Sequence, residues 1–215
     1  MQSMKLAACA ALAALAVAAP AQAQDASRWF VHLGPALVSP DEDAAMTAGG
    51  QPLAGANVSI DSRWTLEGEI GYFVTPNIAI AVAAGFPPTF KVDTAGTLAG
   101  MGTAGKMTGG PAGVLVQYHF NPEGRFQPYV GAGASFLVVF DTDDGLMTEL
   151  KAKSAVGTAL QAGANIMIDD RWGLFVDVKK AWVGTVATGN LGPAPVRAKV
   201  DVDPIVTNFG LTYRF

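Results

Sequence analysis

The 215-residue sequence has one cysteine, Cys9, two histidines and only 15% charged residues. With Cys9 set in an N-terminal export signal, the exported chain has no cysteine, which excludes a disulfide framework and a thiolate metal site. Two histidines without cysteine also argue against a transition-metal centre. Basic charge is scarce: 14 Lys and Arg stand against 18 Asp and Glu, net −4. That balance lacks the electropositive face of a nucleic-acid binder. Beyond the N-terminal segment no stretch of about 18 apolar residues occurs, so no transmembrane helix is encoded.

What is present begins with an address. Lys5 precedes an unbroken apolar run from Leu6 to Ala19, ended by Pro20 and followed by Ala21-Gln22-Ala23. One positive charge, a short apolar stretch and a small-x-small site describe a secretory signal peptide with cleavage after Ala23. The run is too short for a membrane anchor. Cys9 lies at its start, unlike the cysteine of a lipoprotein box. The expected organisation is a signal peptide over 1–23 and one domain over 24–215, with net charge −5 once Lys5 is removed.

That domain is apolar without long apolar runs: hydrophobic residues make up 50% of the sequence. Period two accounts for it. Ile205, Thr207, Phe209, Leu211, Tyr213 and Phe215 alternate with Val206, Asn208, Gly210, Thr212 and Arg214. Trp172, Leu174, Val176 and Val178 alternate with Gly173, Phe175, Asp177 and Lys179. Similar alternation predicts eight strands, near 28–38, 60–74, 77–87, 111–120, 126–140, 153–168, 172–186 and 199–215. Tight turns at 75–77, 121–125 and 169–171 alternate with long connections at 39–59, 88–110, 141–152 and 187–198, rich in Gly, Pro, Thr and Asp. This is the wiring of an all-β, eight-stranded antiparallel up-and-down transmembrane β-barrel, with periplasmic turns and extracellular loops. Trp29, Tyr72, Tyr118, Phe120, Phe126, Trp172, Tyr213 and Phe215 fall near the short turns. Trp64, Phe86, Phe136, Phe140 and Trp182 fall near the long loops. Two aromatic bands are what two lipid–water interfaces select. A lipocalin-like soluble barrel, apolar inside, would leave the bands unexplained.

Four segments carry a resemblance. Phe126-Gln127-Pro128-Tyr129-Val130-Gly131-Ala132-Gly133 resembles the fifth-strand segment of the OmpW family of outer-membrane proteins. Asp201-Val202-Asp203-Pro204 with Phe209 to Phe215, Thr75-Pro76-Asn77-Ile78, and Gln117-Tyr118-His119-Phe120 are similar to that family's last strand, first turn and fourth-strand end. Gly110-Pro111-Ala112 departs from the family's more Pro-rich segment. The resemblance implies a monomeric barrel in the outer membrane and passive uptake of small hydrophobic molecules, with lateral release into the membrane. It names no gate residue.

The inward face should carry a polar cluster of Glu67, Glu69, Asp177, Lys179 and Arg214, with His32, His119, Gln117, Gln127, Asn165 and Asn208. It reads as a selectivity filter or proton relay, or as a salt-bridged plug; the narrow lumen of eight strands favours the plug. Phe90, Leu98, Met101 and Leu146 are candidates for an apolar loop entrance, or else pack against the rim. Asp141, Asp143, Asp144 and Glu149 could share divalent cations with lipopolysaccharide, though such clusters are more often solvated. Leu211, Tyr213 and Phe215 resemble the signal read by the barrel assembly machinery. No nucleophile–base constellation accompanies His32 or His119, so no enzyme is expected. No cofactor and no metal are expected. The partners are outer-membrane lipid, lipopolysaccharide and small hydrophobic solutes. The competing role is a closed structural barrel whose loops serve phage or toxins as a receptor.

Overall fold

The computed structural model describes residues 28–215; the segment read as a signal peptide lies outside them. In chain order the strands are β1 (Trp29–Ser39), β2 (Asp43–Ala48), β3 (Gln51–Pro52), β4 (Ala56–Ile60), β5 (Arg63–Phe73), β6 (Ile78–Gly85), β7 (Thr89–Gly96), β8 (Thr103–His119), β9 (Phe126–Asp144), β10 (Thr148–Ala152), β11 (Ala155–Met167), β12 (Trp172–Trp182), β13 (Gly184–Leu191), β14 (Ala194–Asp201) and β15 (Ile205–Arg214). Eight of them close an antiparallel ring in the order β1, β5, β6, β8, β9, β11, β12, β15 and back to β1. Closure leaves no free strand edge in the wall, the condition for a sheet to cross lipid.

The side-chain period fixes the two faces. On β12, Trp172, Leu174, Val176 and Val178 are exposed, whereas Phe175, Asp177 and Lys179 are buried. On β15, Phe209 and Leu211 point out and Asn208 and Thr212 point in. Apolar side chains outside and polar ones inside are the reverse of a soluble barrel, which removes the lipocalin-like alternative. The outward aromatics Trp29, Tyr118, Phe120, Phe126 and Trp172 cluster at one end; Trp64, Phe86, Phe140 and Trp182 cluster at the other.

Short turns are held by their own side chains. At 169–171 one Asp169 carboxylate oxygen accepts the N–H groups of Arg171 (2.8 Å) and Trp172 (2.7 Å). These bonds favour the charged form and hold the Asp169 carboxyl below its usual range. At 75–77 the Thr75 hydroxyl accepts the Ile78 N–H at 3.0 Å.

The long connections differ from the expected irregular loops. They carry β2, β3, β4, β7 and β10, and β8 starts at Thr103 rather than near residue 111. β10, β13, β14, β2 and β3 form a second, five-stranded sheet at the long-loop end, while β4 and β7 extend the wall beside β8. The strands expected over 172–186 and 199–215 are each interrupted, at Val183 and at Val202–Pro204. Pro204 has no N–H to give to a ladder. Asp203, with φ 34°, accepts the Val183 N–H on its carboxylate at 2.8 Å. This joint lets β13 and β14 leave the ring for the outer sheet.

Candidate functional site

The middle of the lumen is a network assembled from opposite walls. On β5, Glu67 and Glu69 stand two residues apart and so share the inward face; on β12, Asp177 and Lys179 do the same. The Lys179 ammonium donates to Glu67 Oε1 (2.8 Å) and Asp177 Oδ1 (2.9 Å) and lies 3.7 Å from Glu69 Oε2. Gln117 donates to Glu69 at 2.8 Å, and Gln161 donates to Glu69 (3.1 Å) and Asp177 (2.9 Å). Tyr129 donates to Asp177 at 3.2 Å and Asn208 to Glu67 at 3.2 Å. Six wall strands thus contribute to one plug. Gly163 makes room for it: a Cβ there would lie 2.6 Å from the Tyr129 ring and from Asp177.

Toward the short turns the plug continues as rings. His32 stacks on Phe175 (centroids 4.4 Å apart, 11° between planes) and His119 on Tyr129 (4.9 Å, 25°). Phe30 and Phe73 pack beside them. This layer and the ionic layer together obstruct passage along the barrel axis.

Arg214 does not join the four other charges. It pairs in register with Phe30, one inward position nearer the short turns than His32 and Glu69. Its guanidinium lies 4.8 Å over the Phe73 ring and donates to the Pro122 carbonyl at 2.7 Å. Gln161 and Tyr129 belong to the network but were not among the candidates. Gln161 is in phase with Asn165, so its place was readable; Tyr129 reads by type as an interface residue. His32, Glu69 and Asp177 each bring a ligand-type atom within 4.8 Å of the others. The Lys179 ammonium already answers the two carboxylates, so the place of a cation there is taken by a side chain.

Above the plug the lumen turns apolar. Ala36, Val38, Leu137, Val183 and Val206 line the upper barrel; Met46, Val58, Val200 and Phe90 cover it from the outer strands, and Met107 from the outer end of β8. Of the four entrance candidates, Phe90 is 3% exposed and sits inside this chamber. Leu98 packs against it, Leu146 is half-buried and Met101 is 49% exposed. The four therefore form no single rim. The assembly candidates Leu211, Tyr213 and Phe215 lie outward; Tyr213 packs between Trp172 (4.6 Å) and Phe215 (5.0 Å).

The wall beside the chamber has a break. β6 pairs with β8 up to Ala84–Ala112, and β7 takes over only at Thr89–Thr108. Between them Pro87 and Pro88 offer no N–H donors, and the Gly109 N–H reaches the Pro88 carbonyl at 3.1 Å. A Cβ on Gly110 would lie 3.6 Å from Pro88 Cδ, so the proline ring fills the gap. A cavity of about 30 Å³ touches Pro111 and Gly113 on this side and Glu67 and Lys179 below. It has room for about two water molecules.

The sequence profile of the OmpW family matches residues 25–215, nearly the whole chain. The chain belongs to the OmpW family. It is 34% identical to the outer membrane protein AlkL of Ectopseudomonas oleovorans over 175 residues, covering 81% of this chain and 76% of that protein. It is 30% identical to the dibenzothiophene metabolism operon protein PahQ of Pseudomonas aeruginosa, with 93% of each chain covered. AlkL solved in lipid bilayers superposes with a TM-score of 0.71 at 32% identity, over 92% of this chain and 94% of that one. The fold also matches OprG of Pseudomonas aeruginosa, with a TM-score of 0.83 at 24% identity, over 89% and 97%. This OmpW-family barrel is an outer-membrane protein whose outward face meets lipid.

Proposed function

We propose that the barrel is a passive conduit for small apolar solutes, which enter from the extracellular end, occupy the chamber and leave sideways through the wall at Pro87–Pro88 and Gly109–Pro111. The carrying observation is the stacking of an apolar chamber on a sealed ionic layer, with the ladder broken beside the chamber. An apolar solute descending the axis would have to strip water and partners from Glu67, Glu69, Asp177 and Lys179, which is costly. The wall break offers an exit above that layer. The name of PahQ ties a relative to the metabolism of an apolar aromatic compound, which supports the solute class. In this reading the barrel works as a monomer, in contact with lipopolysaccharide, and carries out no chemistry.

The packed lumen describes a resting state. The chamber is filled by its own side chains, Phe90 and Met107 among them, so these must move before a solute fits. The same packing is what a closed structural barrel or a loop-displaying receptor would have. The exit is tested by Pro87→Val with Pro88→Val, which restores two N–H donors and lets β6 continue along β8. We expect slower uptake of a small apolar compound by whole cells at an unchanged level of folded barrel. Unaltered uptake contradicts a lateral exit at this place.

A further inference from the structure

The outer sheet has two faces of opposite character. Met46 on β2, Val196, Ala198 and Val200 on β14, and Ala152 on β10 turn toward the chamber. Period two then sends their neighbours to the outside. There stand Arg197 and Lys199 on β14 and Lys151 on β10, with Lys153 just beyond β10, all exposed. Register places them in two rows. Lys151, Thr188, Arg197 and Thr47 lie side by side. Lys153 bonds through its N–H to Val186, which pairs with Lys199.

These four cations have no ion pair among the described residues. By contrast Lys91, Lys179 and Lys180 each hold a carboxylate. Unpaired cations gathered on one face of a net-acidic protein call for anions from outside. The upper row opens into a groove of about 470 Å³ between Lys151 and Arg197, with the Thr47 and Thr188 side chains and Asn190 along it. One carboxylate lines the groove and two lie below the basic rows. Glu149, at the far end, accepts the Asn190 amide at 3.0 Å. Asp43 and Asp201 pair in register on the membrane side.

The position selects the anion. β13 continues upward from β12, whose end carries the interface residue Trp182. Val186 and Thr188 follow Trp182 by four and six residues, roughly 13 and 20 Å of strand. The face therefore looks sideways into the layer just outside the acyl chains. Exposed Lys and Arg beside a membrane bind anionic lipid headgroups through charge. We infer that Lys151, Lys153, Arg197 and Lys199 form a docking face for the phosphate groups of lipopolysaccharide, with the Lys151–Arg197 groove seating one of them. This deepens the lipopolysaccharide contact of the proposed function and is independent of the conduit, because its test reads lipid binding and not uptake.

The purified full-length barrel in nonionic detergent with EDTA is titrated with rough lipopolysaccharide carrying its phosphorylated inner core. A parallel titration uses the same material dephosphorylated with hydrogen fluoride. Bound lipid is counted by native mass spectrometry. We expect about tenfold preference for the phosphorylated form. Changing all four residues to Gln should abolish that preference, and changing the three lysines to Arg should retain it. Lys106→Gln, on β8, should leave it intact. Heat-modifiable migration checks folding; if the fourfold variant does not fold, the pairs Lys151→Gln with Arg197→Gln and Lys153→Gln with Lys199→Gln should each reduce the preference. A wild-type barrel without preference, or folded Gln variants that keep the whole of it, overturns the assignment.

Discussion

Lys179 is the residue on which the lumen turns. Its ammonium contacts Glu67, Glu69 and Asp177, all nearly without solvent access. Removing one partner of a buried ion network leaves uncompensated charge, at a cost of about 3–5 kcal/mol. Lys179→Met is therefore expected to destabilise the barrel by about that much in urea unfolding in detergent, followed by tryptophan fluorescence. Adding Glu67→Gln should recover part of the loss. A change below about 1 kcal/mol would mean that the cluster is solvated and no plug. The charges in this network were legible in the sequence because each sits on a polar phase of an alternating strand. Arg214 shares that phase, yet phase says nothing about height. Its register with Phe30 sets it against Phe73.

At the scale of the element, Val176 and Phe175 separate lipid from lumen by one residue. Val176 is 50% exposed among apolar neighbours, whereas Phe175 stacks on His32. Val176→Arg should cost about 2–4 kcal/mol in a folding titration. Phe175→Lys should cost less, since Glu69 and Asp177 face the same lumen, although the ring stack is lost. Equal costs would contradict the assignment of faces. At the end of β15, the Phe215 N–H donates to the Trp29 carbonyl at 3.1 Å, next to the closing seam. We propose that Phe215 with Tyr213 and Leu211 is read during assembly. Deleting Phe215 should lower the amount of heat-modifiable barrel in the membrane, and unchanged insertion would count against the signal. The eight wall strands were legible because lipid demands long, clean alternation. The outer strands were not, since Gly, Pro and Thr dominate their segments and suggest irregular loops. Yet Val196, Ala198 and Val200 alternate with Arg197 and Lys199, a short period-two signal within the expected 187–198 loop and 199–215 strand. The chamber lining from Met46, Val58 and Val200 went unseen with it.

At the scale of the whole molecule, the barrel is a wall with an apolar upper half and a polar, aromatic lower half. Family membership fixes the outer membrane as its place. A conduit differs from a structural barrel in one respect: apolar solutes should depend on it and hydrophilic ones should not. The direct measurement is uptake of a small apolar compound by whole cells with the protein, without it, and with Phe90, Leu98, Met101 and Leu146 changed to Asp in pairs. A small hydrophilic solute is followed in parallel. Buried Phe90→Asp also places a charge in the chamber, so the pair Met101→Asp with Leu146→Asp, nearer the surface, guards against a folding defect. Apolar uptake should be slower in the deletion strain and in each folded variant, with hydrophilic uptake unchanged. Equal apolar uptake with and without the barrel would contradict the conduit.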